Sequence, residues 1–118
     1  MSNRVAARGL TPWYPKRSRA RWREGAPAYI CDVFDSRGPG ERYTVFFTGE
    51  GWIGEMDPRV PFLGMDNSPT HPQGISMFGE LKPHEFAAYR YRFGRHRIRW
   101  CDLPEHIRAH VIARANAS

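Results

Sequence analysis

The sequence predicts an α+β domain: a small, mostly antiparallel β-sheet with a C-terminal helix packed on it, preceded by a basic N-terminal arm. Three observations carry this expectation. Segments 28–34 and 42–48 alternate apolar and polar residues around a turn-rich connection. Residues 102–114 open with helix-start chemistry and repeat apolar residues at helical spacing. The first 25 residues hold seven basic side chains against one acidic, whereas residues 26–118 hold eleven of each, so the net charge of +6 sits wholly in the leader. A chain of 118 residues has room for one domain and an arm, placed here at 28–118 and 1–27.

In the arm, Pro12, Pro15 and Pro27 interrupt regular structure, and Trp13 and Trp22 frame a run of cations. The two indoles either pack back onto the body or offer faces for stacking. Ala28–Phe34 reads as a strand with Tyr29, Cys31 and Val33 on one face; Arg42–Thr48 reads as a second with Tyr43, Val45 and Phe47 aligned. The intervening Asp-Ser-Arg-Gly-Pro-Gly-Glu joins them as a hairpin with a wide loop. From Gly49 to Glu80 short apolar pieces alternate with Gly and Pro. Trp52-Ile53, Val60–Met65 and Gly74–Phe78 are strand candidates, and Pro58, Pro61, Pro69 and Pro72 predict edge or irregular positions for them.

Residues 84–93 support two readings. Tyr89-Arg90-Tyr91-Arg92-Phe93 alternates like a strand, but Pro83 and Gly94 bracket a helix that would align Phe86, Tyr89 and Phe93, and the helix is preferred. Arg95–Cys101 alternates again, with Ile98 and Trp100 opposing Arg97 and Arg99, as in a short strand. Asp102 and Glu105 then form a capping box for a helix burying Leu103, Ile107, Val111 and Ile112 and ending near Arg114. Cys31 and Cys101 have no metal-ligand spacing and read as small buried hydrophobes.

The residues argue for binding rather than catalysis. No Gly-x-Ser-x-Gly elbow is present, and Gly38-Pro39-Gly40 lacks the Lys-Ser/Thr of a phosphate loop. Paired carboxylates such as Asp32/Asp35 and Glu50/Glu55 are scattered on turns, where exposure explains them. His106 and His110 share a helical face but no third ligand accompanies them, so neither metal nor other cofactor is expected. Phosphate contact is the task a basic leader suits: Lys16, Arg17, Arg19, Arg21 and Arg23 would neutralise phosphates while Trp13 or Trp22 stacks. Arg90, Arg92, Arg95, Arg97 and Arg99, interleaved with aromatics, extend that candidate surface for DNA or RNA. The alternative is protein binding through the rigid, polar 63–75 segment, with Asn67, Thr70, His71 and Gln73 as contacts. No apolar run approaches the ~18 residues of a membrane span and the N-terminus lacks a secretory stretch, so a cytoplasmic protein without a membrane partner is expected.

Arg42-Tyr43-Thr44-Val45, Leu63-Gly64-Met65, His71-Pro72-Gln73-Gly74-Ile75 and Arg99-Trp100 with Asp102-Leu103-Pro104-Glu105 together resemble a family of small proteins encoded by bacteriophages and mobile elements. The pieces span about residues 28–112 and exclude both the arm and segment 82–96. The resemblance implies a phage or mobile-element setting inside a bacterial host and assigns no residue a role; the protein-binding alternative through 63–75 is then a modulator of a host factor.

Overall fold

The computed structural model describes residues 20–48 and 58–117. Four strands, β1 (Ile30–Asp35), β2 (Tyr43–Phe47), β3 (Val60–Met65) and β4 (Ser76–Leu81), form an antiparallel sheet in the order β1-β2-β3-β4. Helix α1 is a short turn at Ala20–Arg23, α2 spans Pro83–Arg92 and α3 spans Glu105–Ala117. The α+β class with a C-terminal helix on the sheet is the one the sequence predicts.

Strands β1–β3 are buried on both faces, whereas β4 is half-exposed, with Met77 and Phe78 at the surface. One face holds an aliphatic core of Ile30, Val33, Val45, Leu63 and Met65 under Leu103, Ile107, Val111 and Ala115 from the α3 side. Burying each larger aliphatic chain contributes roughly 1.5–3 kcal/mol, enough to hold a helix of marginal intrinsic stability. The opposite face is aromatic: Phe34 and Phe46 lie under Phe86, Tyr89 and Phe93 of the α2 side. α2 forms because Pro83 suits the first helical position and the Glu85 carboxylate accepts the Lys82 backbone N–H at 2.7 Å. Helical spacing then sends Phe86, Tyr89 and Phe93 to one side.

The hairpin loop is fixed by Asp35, whose Oδ1 accepts the Arg37 backbone N–H at 2.8 Å and Arg42 Nε at 3.0 Å. Gly40 takes the left-handed conformation there (φ 73°), which costs glycine little. The expected alignment of Tyr43, Val45 and Phe47 is observed.

Several expectations are corrected. Cys31 does not share a face with Val33: the register skips between Ile30↔Phe47 and Asp32↔Phe46, a bulge that turns both Cys31 and Asp32 toward the aromatic side. Period-two reading has no means of seeing an extra residue. β3 is an interior strand despite Pro61. Its pairing with β2 stops at Phe62, so the missing N–H lies beyond that ladder.

Segment 95–101 is not a strand. It is two 3-10 turns, Gly94–His96 and Trp100–Asp102, joined by a one-residue bridge of Arg97 to Phe34. Ile98 and Trp100 still reach the aliphatic core, which is the signal their alternation carried. Asp102 caps the second turn, accepting Arg99 N–H at 3.0 Å, and α3 starts after Pro104. Ile112 and Cys101 are exposed, and Ala115 takes the buried helical position four residues after Val111. Trp52-Ile53 lies outside the described residues.

Candidate functional site

The bulge places a carboxylate where strands normally bury carbon. Asp32 is fully buried at its side chain, and two arginines converge on it: Arg90 of α2, Nε to Oδ2 at 2.9 Å, and Arg97, Nε to Oδ1 at 3.0 Å. Arg97 also donates from Nη2 to Oδ2 at 3.3 Å, while its Nε approach is off the hydrogen-bond line and acts as an ionic contact. A buried carboxylate needs such partners, because isolated charge is strongly disfavoured away from water. Two cations on one anion leave this edge with one excess positive charge, and both guanidinium groups keep some solvent access (29% and 20%).

Aromatic faces surround the cluster. The Arg97 guanidinium lies 5.6 Å from the Phe34 ring and 5.9 Å from Trp22, and Arg21 stacks on Trp22 at 4.8 Å. Trp22 is half-buried, so this indole packs on the body while still carrying a cation.

The arginine tract thus divides. Arg90 and Arg97 turn inward to Asp32. Arg99 is held by Asp102 at 3.0 Å, and that hydrogen-bonded pair pushes the Asp102 pKa down and the Arg99 pKa up. Arg92 stacks on Phe93 at 5.1 Å, and both Arg92 and Arg95 are exposed. Trp13, Lys16, Arg17 and Arg19 lie outside the described residues, as does the side chain of Arg23.

The 66–75 connection is braced internally. Ser68 N–H donates to Asp66 Oδ1 at 3.0 Å, Gln73 N–H to His71 Nδ1 at 3.0 Å, and Gly74 N–H to the His71 carbonyl at 2.8 Å. A Cβ on Gly74 would fall on the Ser68 carbonyl, so only glycine closes this loop. Pro69 is buried beneath it, and Thr70, His71 and Gln73 project outward. Asn67 is exposed but tied down: its carbonyl lies 2.9 Å from His106 Nε2 and its Oδ1 accepts the Tyr43 hydroxyl at 3.5 Å.

His106 and His110 each clip α3 to a neighbouring segment. The second hydrogen-bonds Ser76 at 2.6 Å, tying α3 to β4. Among the described residues no group of three or more metal-ligating side chains occurs. Burial, with the charge of Arg114, lowers the His110 pKa. A depressed folded-state value means that stability is complete above the ordinary histidine range and falls as pH drops through it. Unfolding midpoints in urea are expected to decline from pH 7.5 toward 5.5, and His110→Gln should flatten that decline.

Beside the Asp32 cluster, between β2, β3 and α2, lies a half-open cavity of about 330 Å³. Phe34, Phe46, Phe62, Tyr89 and Phe93 wall it, and Glu41, Thr44, Ser36 and His96 supply polar atoms. Burial raises the Tyr89 pKa, and the Glu41 charge adds to that against a hydrogen bond with Thr44, so the phenol stays neutral. The cavity depends on glycines that the sequence does not mark as special. A Cβ on Gly64 would fall on the Glu41 carboxylate, and one on Gly79 would collide with the Phe62 ring. Only the Phe86–Tyr89–Phe93 stripe was a readable sign of this region. No helix among the described residues is long and apolar enough to cross a membrane. No family model, curated protein or solved structure matches the chain.

Proposed function

We propose that the chain is a non-enzymatic nucleic-acid-binding protein, taking DNA or RNA through its basic leader and the cationic edge of β1. One observation carries this reading: Arg90 and Arg97 share a single carboxylate, which leaves positive charge at the edge where the leader joins the domain. Arg21 stacked on Trp22 stands at the same edge, and Arg92 and Arg95 are exposed on the neighbouring helix end and turn. Phosphates are neutralised by Lys16, Arg17, Arg19, Arg21 and Arg23, with Arg92 and Arg95 as accessory contacts, whereas Arg90, Arg97 and Arg99 set the local potential. Binding of this kind is salt-dependent and nearly blind to sequence. Following the phage-type resemblance, its setting is the cytoplasm of a bacterial host.

Fluorescence anisotropy with labelled single- and double-stranded oligonucleotides across a salt series tests the proposal. Replacing Lys16, Arg17 and Arg19 with Gln is expected to reduce the slope of log K against log salt by about 0.7–0.9 per cation removed. Replacing Arg92 and Arg95 should do the same to a smaller extent. A slope unchanged in both variants would rule the reading out.

A second reading is favoured by the self-braced 66–75 loop, whose rigidity lowers the entropy cost of docking on a protein partner. There Thr70, His71 and Gln73 are the contacts, Asn67 being turned toward α3. A host protein captured from nuclease-treated lysate by the parent, and lost on substituting those three residues, would establish it in place of the first.

A further inference from the structure

We propose that the aromatic cavity beside α2 is a binding site for a small organic cation of the alkylammonium type, held by the ring walls and the Glu41 carboxylate. The inference is independent of nucleic-acid binding and rests on the cavity alone. Its volume of about 330 Å³ falls at the lower end of small-molecule sites.

The chemistry of the wall selects the sign of the charge. Ring faces carry negative quadrupole density and attract cations, most strongly where water is excluded. Among the described residues Glu41 is the only carboxylate on the wall, no arginine or lysine lines it, and the His96 imidazole is its one basic group. The aspartates nearest the cavity are matched, Asp32 by Arg90 and Arg97 and Asp35 by Arg42. Glu41 has no cationic partner among the described residues, although Arg42 is its chain neighbour, because that guanidinium is committed to Asp35 through two hydrogen bonds. Gly64 keeps the space in which the Glu41 carboxylate lies across the sheet, since any larger residue there would displace it. A negative charge on the exposed rim of an aromatic cavity is complemented by a cationic guest and repels an anionic one.

Hydrogen-bonding capacity narrows the class of cation. Thr44 lies beside the Tyr89 hydroxyl, and Ser36 Oγ donates to the Glu41 carbonyl and accepts the Gly38 N–H. Glu41 is the charged acceptor, with the His96 ring as the other polar group on the wall. A guanidinium brings five N–H donors, more than this wall satisfies, whereas a methylated ammonium brings at most one or two and spreads its charge over methyl groups that rings contact directly.

The guest is either a free small molecule or the methylated end of a lysine side chain, and the test separates these sources. Isothermal titration of the full chain is run with choline, with its neutral isostere 3,3-dimethylbutan-1-ol, and with a short peptide bearing trimethyllysine beside its unmethylated control. Saturable binding of choline or of the methylated peptide is expected, with the neutral isostere about tenfold weaker. Tighter binding of the peptide than of choline assigns the lysine source, and the reverse order assigns the free molecule. Glu41→Gln should weaken the cation about fivefold to tenfold and leave the isostere unchanged. Gly64→Ala should reproduce that loss by displacing the carboxylate, with the circular dichroism spectrum retained. Equal affinity for choline and its isostere, wild-type cation affinity in Glu41→Gln, or no saturable binding of either cation up to about 10 mM would each overturn the proposal.

Discussion

Replacing Asp32 with alanine is expected to lower the unfolding free energy by about 3–5 kcal/mol, a large part of the ~5–15 kcal/mol that holds a domain of this size. The reason is what the substitution leaves behind. Arg90 and Arg97 approach Asp32 at 2.9 and 3.0 Å from opposite elements, α2 and the bridge segment. Without the carboxylate, two like charges face each other over an apolar bed of Phe34 and Phe86. Their partial exposure lets water recover some of the loss, which places the expectation below the full desolvation cost of two ions. Urea unfolding followed by circular dichroism measures it, and a loss below about 1 kcal/mol would show that both arginines simply rehydrate. The combined variant Asp32→Leu, Arg90→Met, Arg97→Met distinguishes charge from shape: apolar replacement of a buried ionic triad restores stability within about 1–2 kcal/mol of the parent.

Phe46→Ala is the second large effect, expected at about 3–5 kcal/mol. Phe46 is fully buried at the centre of the aromatic face, with ring centroids 4.7 Å from Phe86, 5.0 Å from Tyr89, 5.5 Å from Phe62 and 5.8 Å from Phe34. Truncation removes four ring contacts at once and merges the vacated space with the neighbouring cavity. Phe46→Leu keeps most of the volume and should cost less than half as much, about 1.5 kcal/mol. The check is a shift of the urea midpoint at constant m-value; a changed m-value would indicate loosening of the whole α2 layer instead.

The sequence is most legible where one rule decides the outcome. Tyr43, Val45 and Phe47 alternate and are buried together, because an unbulged strand between two neighbours obeys period two. Leu103, Ile107 and Val111 are buried as spaced. Phe86, Tyr89 and Phe93 come to one side once Pro83 starts a helix.

Legibility fails where long-range pairing supplies the answer. Arg95–Cys101 alternates because two of its residues reach a core, yet β1 has only a single bridge to offer it at Phe34. Asp32 resembles a turn-side carboxylate until the bulge and two distant arginines are known. The cavity needs Glu41, Gly64 and Tyr89 from three separate segments, and no local pattern links them. The arginines of 90–99 show the limit of a charge run: composition counts guanidinium groups, but only coordinates tell which are already engaged by the chain's own acids.

The separation of the aliphatic and aromatic cores by one sheet has a consequence for how the molecule tolerates change. Side chains on opposite faces of a strand share a backbone but no packing partner, so energetic effects of substitutions on the two sides sum almost independently. The α3 side is filled by interlocked, mainly aliphatic chains, while the α2 side packs its rings around a cavity, so substitutions at that cavity's rim leave the α3 packing untouched. The residues around the cavity are thus free to vary on one side while the other keeps the scaffold intact.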